Sequence, residues 1–118
     1  MDERLEKALE FSNYMVTLNN QKRVLKEQYQ ENIVYYFNGG QFTITKELVT
    51  FVNMLVEKGN DTDLVLIDDN ETPINIQDVE QFLLDTLDVY FNAANQYYAD
   101  YKQILEKRSV EKLVDYNE

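Results

Sequence analysis

The sequence contains no cysteine, no histidine and no tryptophan. Without cysteine and histidine, the chain cannot build a Ser–His or Cys–His nucleophile pair, and it has none of the usual zinc ligands apart from carboxylates. It also lacks a phosphate-binding loop and a dinucleotide-binding fingerprint, since its single glycine pair, Gly39-Gly40, is not followed by the residues that such a loop needs. We therefore expect a protein that is not an enzyme and that uses no cofactor.

Long hydrophobic runs are missing as well. No apolar stretch approaches the roughly 20 residues that a membrane-spanning helix requires. The first residues, Met1 to Arg4, are acidic and lack the basic and apolar parts of a signal peptide. We expect a cytoplasmic protein that does not bind membranes.

Positive charge is scarce. Eleven Lys and Arg oppose 22 Asp and Glu, which gives a net charge of −11 across 118 residues. The segment from Glu57 to Glu80 is the most acidic, with eight acids and one base, Lys58. The electrostatic field of so negative a chain repels the phosphates of nucleic acid, so no direct nucleic-acid binding is expected. A regulator that imitates nucleic acid and binds a basic protein is an alternative function.

The first predicted element is a helix over about residues 2–36. Apolar residues recur at helical spacing along it, and Lys22 interrupts their stripe with an aliphatic stem that can lie along the seam while its ammonium reaches water. The end of this helix is ambiguous, because residues 33–37 alternate and Asn38-Gly39 is a hairpin signal. The same glycine could cap a helix, and we favour the helix. The stripe comprises Phe11, Met15, Leu18, Lys22, Leu25, Tyr29 and Tyr36.

The middle of the chain predicts a strand over 41–44, a helix over 46–58 and a hairpin over 64–76. Thr45 is a good N-cap and Gly59 a good C-terminal stop for the helix. The continuous apolar run Leu64–Ile67 is typical of a buried strand, and Pro73 is suited to the start or edge of the strand that pairs with it.

A second long helix is predicted over 78–108, with Asp78 and Gln81 placed for a capping box and a frayed tail at 115–118. Together these elements predict a single domain, residues 1–118, of the α+β class and mainly α. It has two long antiparallel amphipathic helices, a short middle helix and a small antiparallel β-hairpin or sheet. The buried stripe of the last helix comprises Val79, Leu83, Thr86, Tyr90, Ala93, Tyr97, Tyr101 and Ile104.

The acidic turn after the apolar strand is the one candidate metal site. Asp68, Asp69 and Asn70 carry oxygens of the type that Mg²⁺ and Ca²⁺ prefer. A calcium loop starting at Asp68 fails, because Pro73 stands where glycine is needed and Val79 where an acid is needed. We interpret the turn as a solvated hairpin turn and predict no metal, leaving a Mg²⁺-dependent enzyme as the least favoured alternative.

The aromatic residues are more informative, with nine Tyr and six Phe. Most of them fit packing between the helices, but Tyr97 and Tyr98 point about 100° apart and cannot share one narrow seam. Phe91, Tyr98 and Leu105 share one side of the last helix, and tyrosine is enriched at protein interfaces. We predict an interaction surface there, flanked by Tyr97 and Tyr101, and expect a protein partner or a homo-oligomer, most simply a dimer.

Three strings carry a resemblance: residues 4–14, Asn38-Gly39-Gly40 with residues 42–45, and residues 65–70 ahead of Pro73-Ile74. They resemble strings of small uncharacterised proteins of T4-like marine bacteriophages. The resemblance extends over most of the chain, but the strings are not functional motifs and bring no activity with them. It implies a viral accessory or assembly protein that acts in the cytoplasm of a bacterial host.

Overall fold

A computed structural model describes the backbone of residues 2–117 and the side chains of residues 2–107. It contains three helices and two antiparallel two-stranded sheets, which confirms the α+β, mainly α class. In chain order the elements are α1 (Glu3–Asn32), β1 (Val34–Phe37), β2 (Gly40–Thr43), α2 (Lys46–Glu57), β3 (Thr62–Ile67), β4 (Pro73–Asp78) and α3 (Val79–Asn117).

The first helix ends earlier than predicted. It stops at Asn32, and the next residues form β1, which pairs with β2 through Tyr35 opposite Phe42. Asn38 and Gly39 both have positive φ, of 52° and 80°, as a type I′ turn requires. The predicted helix through residue 36 is therefore wrong at its C-terminal end. Tyr36, which suggested a longer helix, is an exposed strand residue.

The second hairpin joins β3 to β4 in a register that places Leu64 opposite Ile76 and Leu66 opposite Ile74. Pro73 is the first residue of β4, where its missing N–H removes no bond to β3. The turn between the strands is a type I turn followed by Glu71, whose φ is 61°. This is the usual geometry of a three-residue hairpin loop with a bulge.

Helix α2 is capped at both ends, by a side chain at its N-terminus and by backbone hydrogen bonds at its C-terminus. The Thr45 hydroxyl accepts a hydrogen bond of 3.1 Å from the Leu48 amide. At the other end Gly59 has a φ of 83°, and the next amide, that of Asn60, donates to the Leu55 carbonyl. Gly59 supplies the left-handed residue that this capping motif needs.

Helix α3 follows β4 directly, and the Asp78 carboxylate accepts the Gln81 amide at 3.0 Å. The Gln81 side chain donates to Asp85 instead of completing the capping box.

The helix continues to Asn117, so its predicted end at residue 108 is wrong. No glycine or proline follows Pro73, and Ser109 costs a helix only a few tenths of a kcal/mol. Of the predicted tail at 115–118, residues 115–117 are in this helix and 118 lies outside the described residues.

The sequence predicted one domain, and contacts divide the chain into two compact units. One is Met1–Gln28 with Gln96–Glu118, and the other is Tyr29–Asn95. Leu18 is the buried hydrophobic residue of the first unit among the described side chains. The second unit holds a continuous hydrophobic core drawn from both hairpins, α2 and the start of α3. Its buried members are Ile33, Phe42, Ile44, Val52, Leu66, Ile74, Ile76, Val79, Phe82, Leu83 and Ala93.

Candidate interaction surface

Helix α3 has residues in both units, and each of these two parts carries large apolar side chains that are exposed. Phe91 is 55% exposed and Tyr98 is 68% exposed, and Leu105 is also exposed. These three residues are spaced by seven along the helix, as the sequence predicted. Leu84, seven residues before Phe91, is exposed as well. Leu84 was not among the predicted surface residues, although the same spacing of seven identifies it.

Tyr97 and Tyr101, which were predicted to flank this surface, are only partly exposed. Their rings contact each other edge to face, with centroids 6.3 Å apart. The Lys22 ammonium lies over the Tyr101 ring, 5.5 Å from its centroid. Tyr101 therefore serves mainly to join the two helical segments of the first unit, and less of its surface is available to a partner.

The aromatic residues of the first hairpin are used inside the second unit. Tyr35, Phe37 and Phe42 all contact Phe82 of α3, with ring centroids 5.8, 5.6 and 5.2 Å from that of Phe82. Phe42 and Phe82 are almost completely buried. Edge-to-face and tilted pairs of this kind add about 0.5–1.5 kcal/mol each beyond the area that they bury. This cluster is a packing element and leaves little aromatic surface for binding.

The acidic turn at Asp68 connects the two hairpins. One Asp68 oxygen accepts the amides of Asn70 and Thr72 at 3.0 and 2.8 Å, and the other accepts the Gln41 amide of β2 at 2.9 Å. These hydrogen bonds, chiefly those from Gln41 and Thr72, hold the pKa of Asp68 below its ordinary value, against the opposing effect of burial. Asp68 is therefore a negative charge held by backbone amides.

Asp69 has a similar structural role. Its amide donates to the Gln41 carbonyl at 2.8 Å, and its carboxylate accepts the Thr43 hydroxyl at 2.6 Å. Asn70, the third candidate ligand, donates its amide to Asp68. Among the described residues, no three acidic side chains come together as metal ligands would. The turn is thus built as a clamp between the hairpins.

A cavity of about 300 Å³ lies beside the first hairpin turn in the second unit. Asp85 lines the cavity, and its carboxylate accepts hydrogen bonds from the Tyr35 hydroxyl at 3.1 Å and from the side-chain nitrogen (Nε2) of Gln81 at 2.9 Å. Burial, with the bond to Asp85, raises the pKa of the Tyr35 hydroxyl. The other wall residues are Phe37, Asn38, Gln77, Asp78 and Phe82. This lining offers hydrogen-bonding groups and aromatic edges, and Asp85 is already engaged by two donors.

Strand β3 departs from its predicted burial. Leu66 is buried, but Val65 is 60% exposed and Ile67 is 63% exposed. The continuous apolar run predicted a strand covered on both faces, and that prediction is wrong. The sheet has only two strands, and one face of β3 packs on the core while the other faces outward. The structure therefore shows a second apolar surface that the sequence pattern did not separate from the core.

Comparison of the chain with protein-family models, with curated proteins and with solved structures finds no match. Within the described residues, none of the helices combines the length and apolarity needed to cross a bilayer. Large apolar side chains are exposed on α1, β1 and α2 as well as on α3 and β3.

Proposed function

We propose that this chain is a non-enzymatic interaction or assembly protein that associates with a second copy of itself through the exposed side of α3. The observation that carries the proposal is that large apolar side chains recur at intervals of seven in the sequence of α3 and are exposed in each unit: Leu84 and Phe91 in the second unit, Tyr98 and Leu105 in the first. Single exposed hydrophobic residues are ordinary on protein surfaces, but a row at intervals of seven matches one position of the heptad that pairs helices.

Aromatic residues strengthen this assignment. Tyr98 and Phe91 each offer a large contact area with few rotatable bonds, so that ordering them in an interface loses little entropy. Phe91 is also held from one side, since its ring packs edge to face on Tyr90 at 5.6 Å. A side chain that is already partly fixed binds with a smaller ordering cost.

Charge gives the self-association a distinctive signature. Each copy carries a net charge of −11, so two copies repel each other at low ionic strength. Added salt screens this repulsion, with a Debye length falling from about 30 Å at 0.01 M to about 10 Å at 0.1 M. We expect the dimer to strengthen as salt rises.

Sedimentation equilibrium over a range of protein and salt concentrations tests the proposal. The double variant Phe91→Ser with Tyr98→Ser should remain monomeric where the parent chain dimerises. The matched control is Asn92→Ser with Gln103→Ser, two exposed polar positions about 100° or more round the same helix from Phe91. A parent chain that stays monomeric at every condition, or a double serine variant that dimerises as well as the parent, contradicts the proposal.

A second candidate is an acidic regulator that occupies the nucleic-acid site of a basic protein. Its support is that, of the eight acids between Glu57 and Glu80, Asp68 alone is buried. The two ion pairs found among the described side chains, Arg23–Glu27 and Lys102–Glu106, both lie outside this segment. Most of the negative charge of residues 57–80 therefore faces solvent.

Binding to a lysine homopeptide separates this candidate from self-association, because attraction between opposite charges weakens with salt. A variant with Glu71, Asp78 and Glu80 changed to amides should bind more weakly than one with Glu3, Glu6 and Glu10 changed to Gln. Equal loss in both variants would show that only net charge matters and remove this candidate.

The sequence resemblance supports a setting for either function, that of a viral accessory or assembly protein in a bacterial cytoplasm. Immunodetection in infected cells, followed by fractionation, tests this setting. Finding the chain outside the cytoplasmic fraction would contradict it.

A further inference from the structure

Among residues 2–117, strand β3 has no paired strand along its edge away from β4; just past the end of β3, the Asp69 amide donates to the Gln41 carbonyl of β2. Within the part of the chain that the structure describes, its sheet contains only β3 and β4. The Asp68 amide donates to the Thr72 carbonyl, and Pro73 has no amide to give to Ile67. Bonded and non-bonded pairs alternate in an antiparallel ladder, so the backbone groups of Val65 and Ile67 point away from β4.

The same two residues expose their side chains. Val65 and Ile67 project from the outer face of the hairpin, with Asn75 and Pro73 opposite them on β4. On the inner face, Leu66 is buried in the core and fixes the strand. Natural proteins usually protect such an edge with lysine, proline or a covering segment, and the residues at positions 64–67 include none of these protective types.

Acidic residues stand at both ends of this edge. Asp63 precedes the apolar stretch and is exposed, and Glu71 follows it and is exposed too. Asp69 is also exposed, and its carboxylate accepts hydrogen bonds from the Thr43 hydroxyl and the Gln41 side chain. Asp63 has a φ of 51°, so the regular extended stretch begins at Leu64. The edge is therefore a short apolar segment between two negative ends.

We propose that this edge binds an extended segment of a basic protein, which adds to the hairpin as a third strand. Its backbone pairs with the outward groups of Val65 and Ile67, its central apolar side chains cover theirs, and a lysine or arginine at each end faces the flanking acids. The site is on β3 and not on α3. Its biological purpose rests on the proposed interaction role, whereas the binding itself does not.

Charge selects this occupant over a second copy of the chain. Antiparallel pairing of β3 with itself, with Val65 opposite Ile67, would set Asp63 opposite Asp69. Like charges directly opposite each other destabilise a strand pair. A segment with basic ends replaces that repulsion by attraction at both ends.

The test uses a blocked heptapeptide, Lys-Thr-Val-Thr-Val-Thr-Lys, and the full chain. Titration calorimetry should give binding with a Kd near or below about 1 mM, the weak end of measurable affinities. Site-resolved amide exchange should slow at Val65 and Ile67 when the peptide is added, and not at Leu66, which already pairs with β4. Absence of binding at about 1 mM, or protection elsewhere in the chain, overturns the proposal.

Two matched controls separate strand addition from simple charge attraction. The same peptide with methyl groups on the amides that face β3 keeps its charge but cannot pair, and should bind at least about tenfold more weakly. Val65→Lys should abolish binding, whereas Val24→Lys, the same change at an exposed position of α1, should not.

Peptide binding to β3 is independent of dimerisation through α3, so either proposal can fail without the other. The Phe91→Ser, Tyr98→Ser variant should bind the peptide as the parent chain does, whether or not it dimerises. Equal binding of the methylated peptide, or equal loss with Val24→Lys, overturns strand addition on β3.

Discussion

The ammonium of Lys22 lies 5.5 Å from the centre of the Tyr101 ring and joins the two helical segments of the first unit. Lys22 interrupts an otherwise apolar stripe on α1, and the sequence suggested that its charge would reach water. The structure instead directs the charge to an aromatic face, where the negative potential of the ring attracts it. Tyr97 contacts the edge of the same ring and helps to hold it in place.

Lys22→Met keeps the aliphatic stem and removes the charge. We expect it to lower the free energy of unfolding by about 0.5–1 kcal/mol, the usual value of a partly exposed cation–π contact. A double-mutant cycle with Tyr101→Leu, followed by urea denaturation, measures the coupling directly. Additive losses would show that the contact contributes nothing.

Asp68 gives the fold an acid sensitivity. Its pKa in the folded chain is below the ordinary value, because the amides of Gln41, Thr72 and Asn70 donate to the charged form. A lowered pKa stabilises the fold above the unfolded-state pKa of about 3.9, and this stabilisation disappears as the pH falls through the folded-state value. Thermal unfolding from pH 6 toward pH 2 should therefore show less loss of stability in Asp68→Asn than in the parent chain.

The control is Asp88→Asn, an exposed carboxylate on α3. It should leave the acid limb of the stability curve unchanged. The Asp68→Asn variant should also be less stable than the parent near neutral pH. An acid limb that is identical in all three proteins would contradict the assignment.

Glu71 occupies a turn position with a φ of 61°, where a residue with a Cβ atom is strained. We expect Glu71→Gly to raise the free energy of unfolding by up to about 1 kcal/mol, less the extra entropy that glycine gives the unfolded chain. Chemical denaturation against Glu71→Ala, which removes the same charge but keeps a Cβ, separates backbone strain from electrostatics. Equal stability of the two variants would exclude strain as the cause.

Gly40 lies against the buried side chain of Ile74. A Cβ built on Gly40 would stand 2.6 Å from the Cγ1 atom of Ile74, well inside contact distance. Gly40→Ala should therefore destabilise the chain by about 1–3 kcal/mol through overpacking. Adding Ile74→Ala should make the combined loss smaller than the sum of the two single losses, as measured by denaturant titration. Strict additivity would contradict the clash.

Local signals in the sequence were enough where a structural feature depends on neighbouring residues. The caps of α2 at Thr45 and Gly59 form from groups within five positions of each other. The pairing of Leu64 with Ile76 follows from a short loop and a matching apolar pattern. These features could be predicted because no distant part of the chain decides them.

Distant contacts decided the features that the sequence did not predict. Residues 33–37 fit a helix or a strand by pattern, and the helix was favoured because the apolar stripe continues to Tyr36. The structure has a strand there, in which Tyr35 and Phe37 contact Phe82. Val65 and Ile67 are exposed because they alternate along β3 with Leu66, which points into the core. An apolar run alone cannot tell a strand covered on two faces from one covered on a single face.

The candidate surface was predictable to a similar extent. Helical spacing separates Tyr98 from Tyr97 without any tertiary information, and the structure exposes the first more than the second. The role of Asp68 was not predictable, because it depends on Gln41, a residue 27 positions away whose amide reaches the turn only in the folded unit.

Gln41 has one further consequence for how the second unit opens. A two-stranded hairpin alone is at best marginally stable in water. The Gln41 backbone donates to Asp68 and accepts from Asp69, so neither hairpin can detach without breaking its attachment to the other. The four strands therefore behave as one cooperative block, and amide protons from both hairpins should exchange with solvent at a common slow rate instead of two.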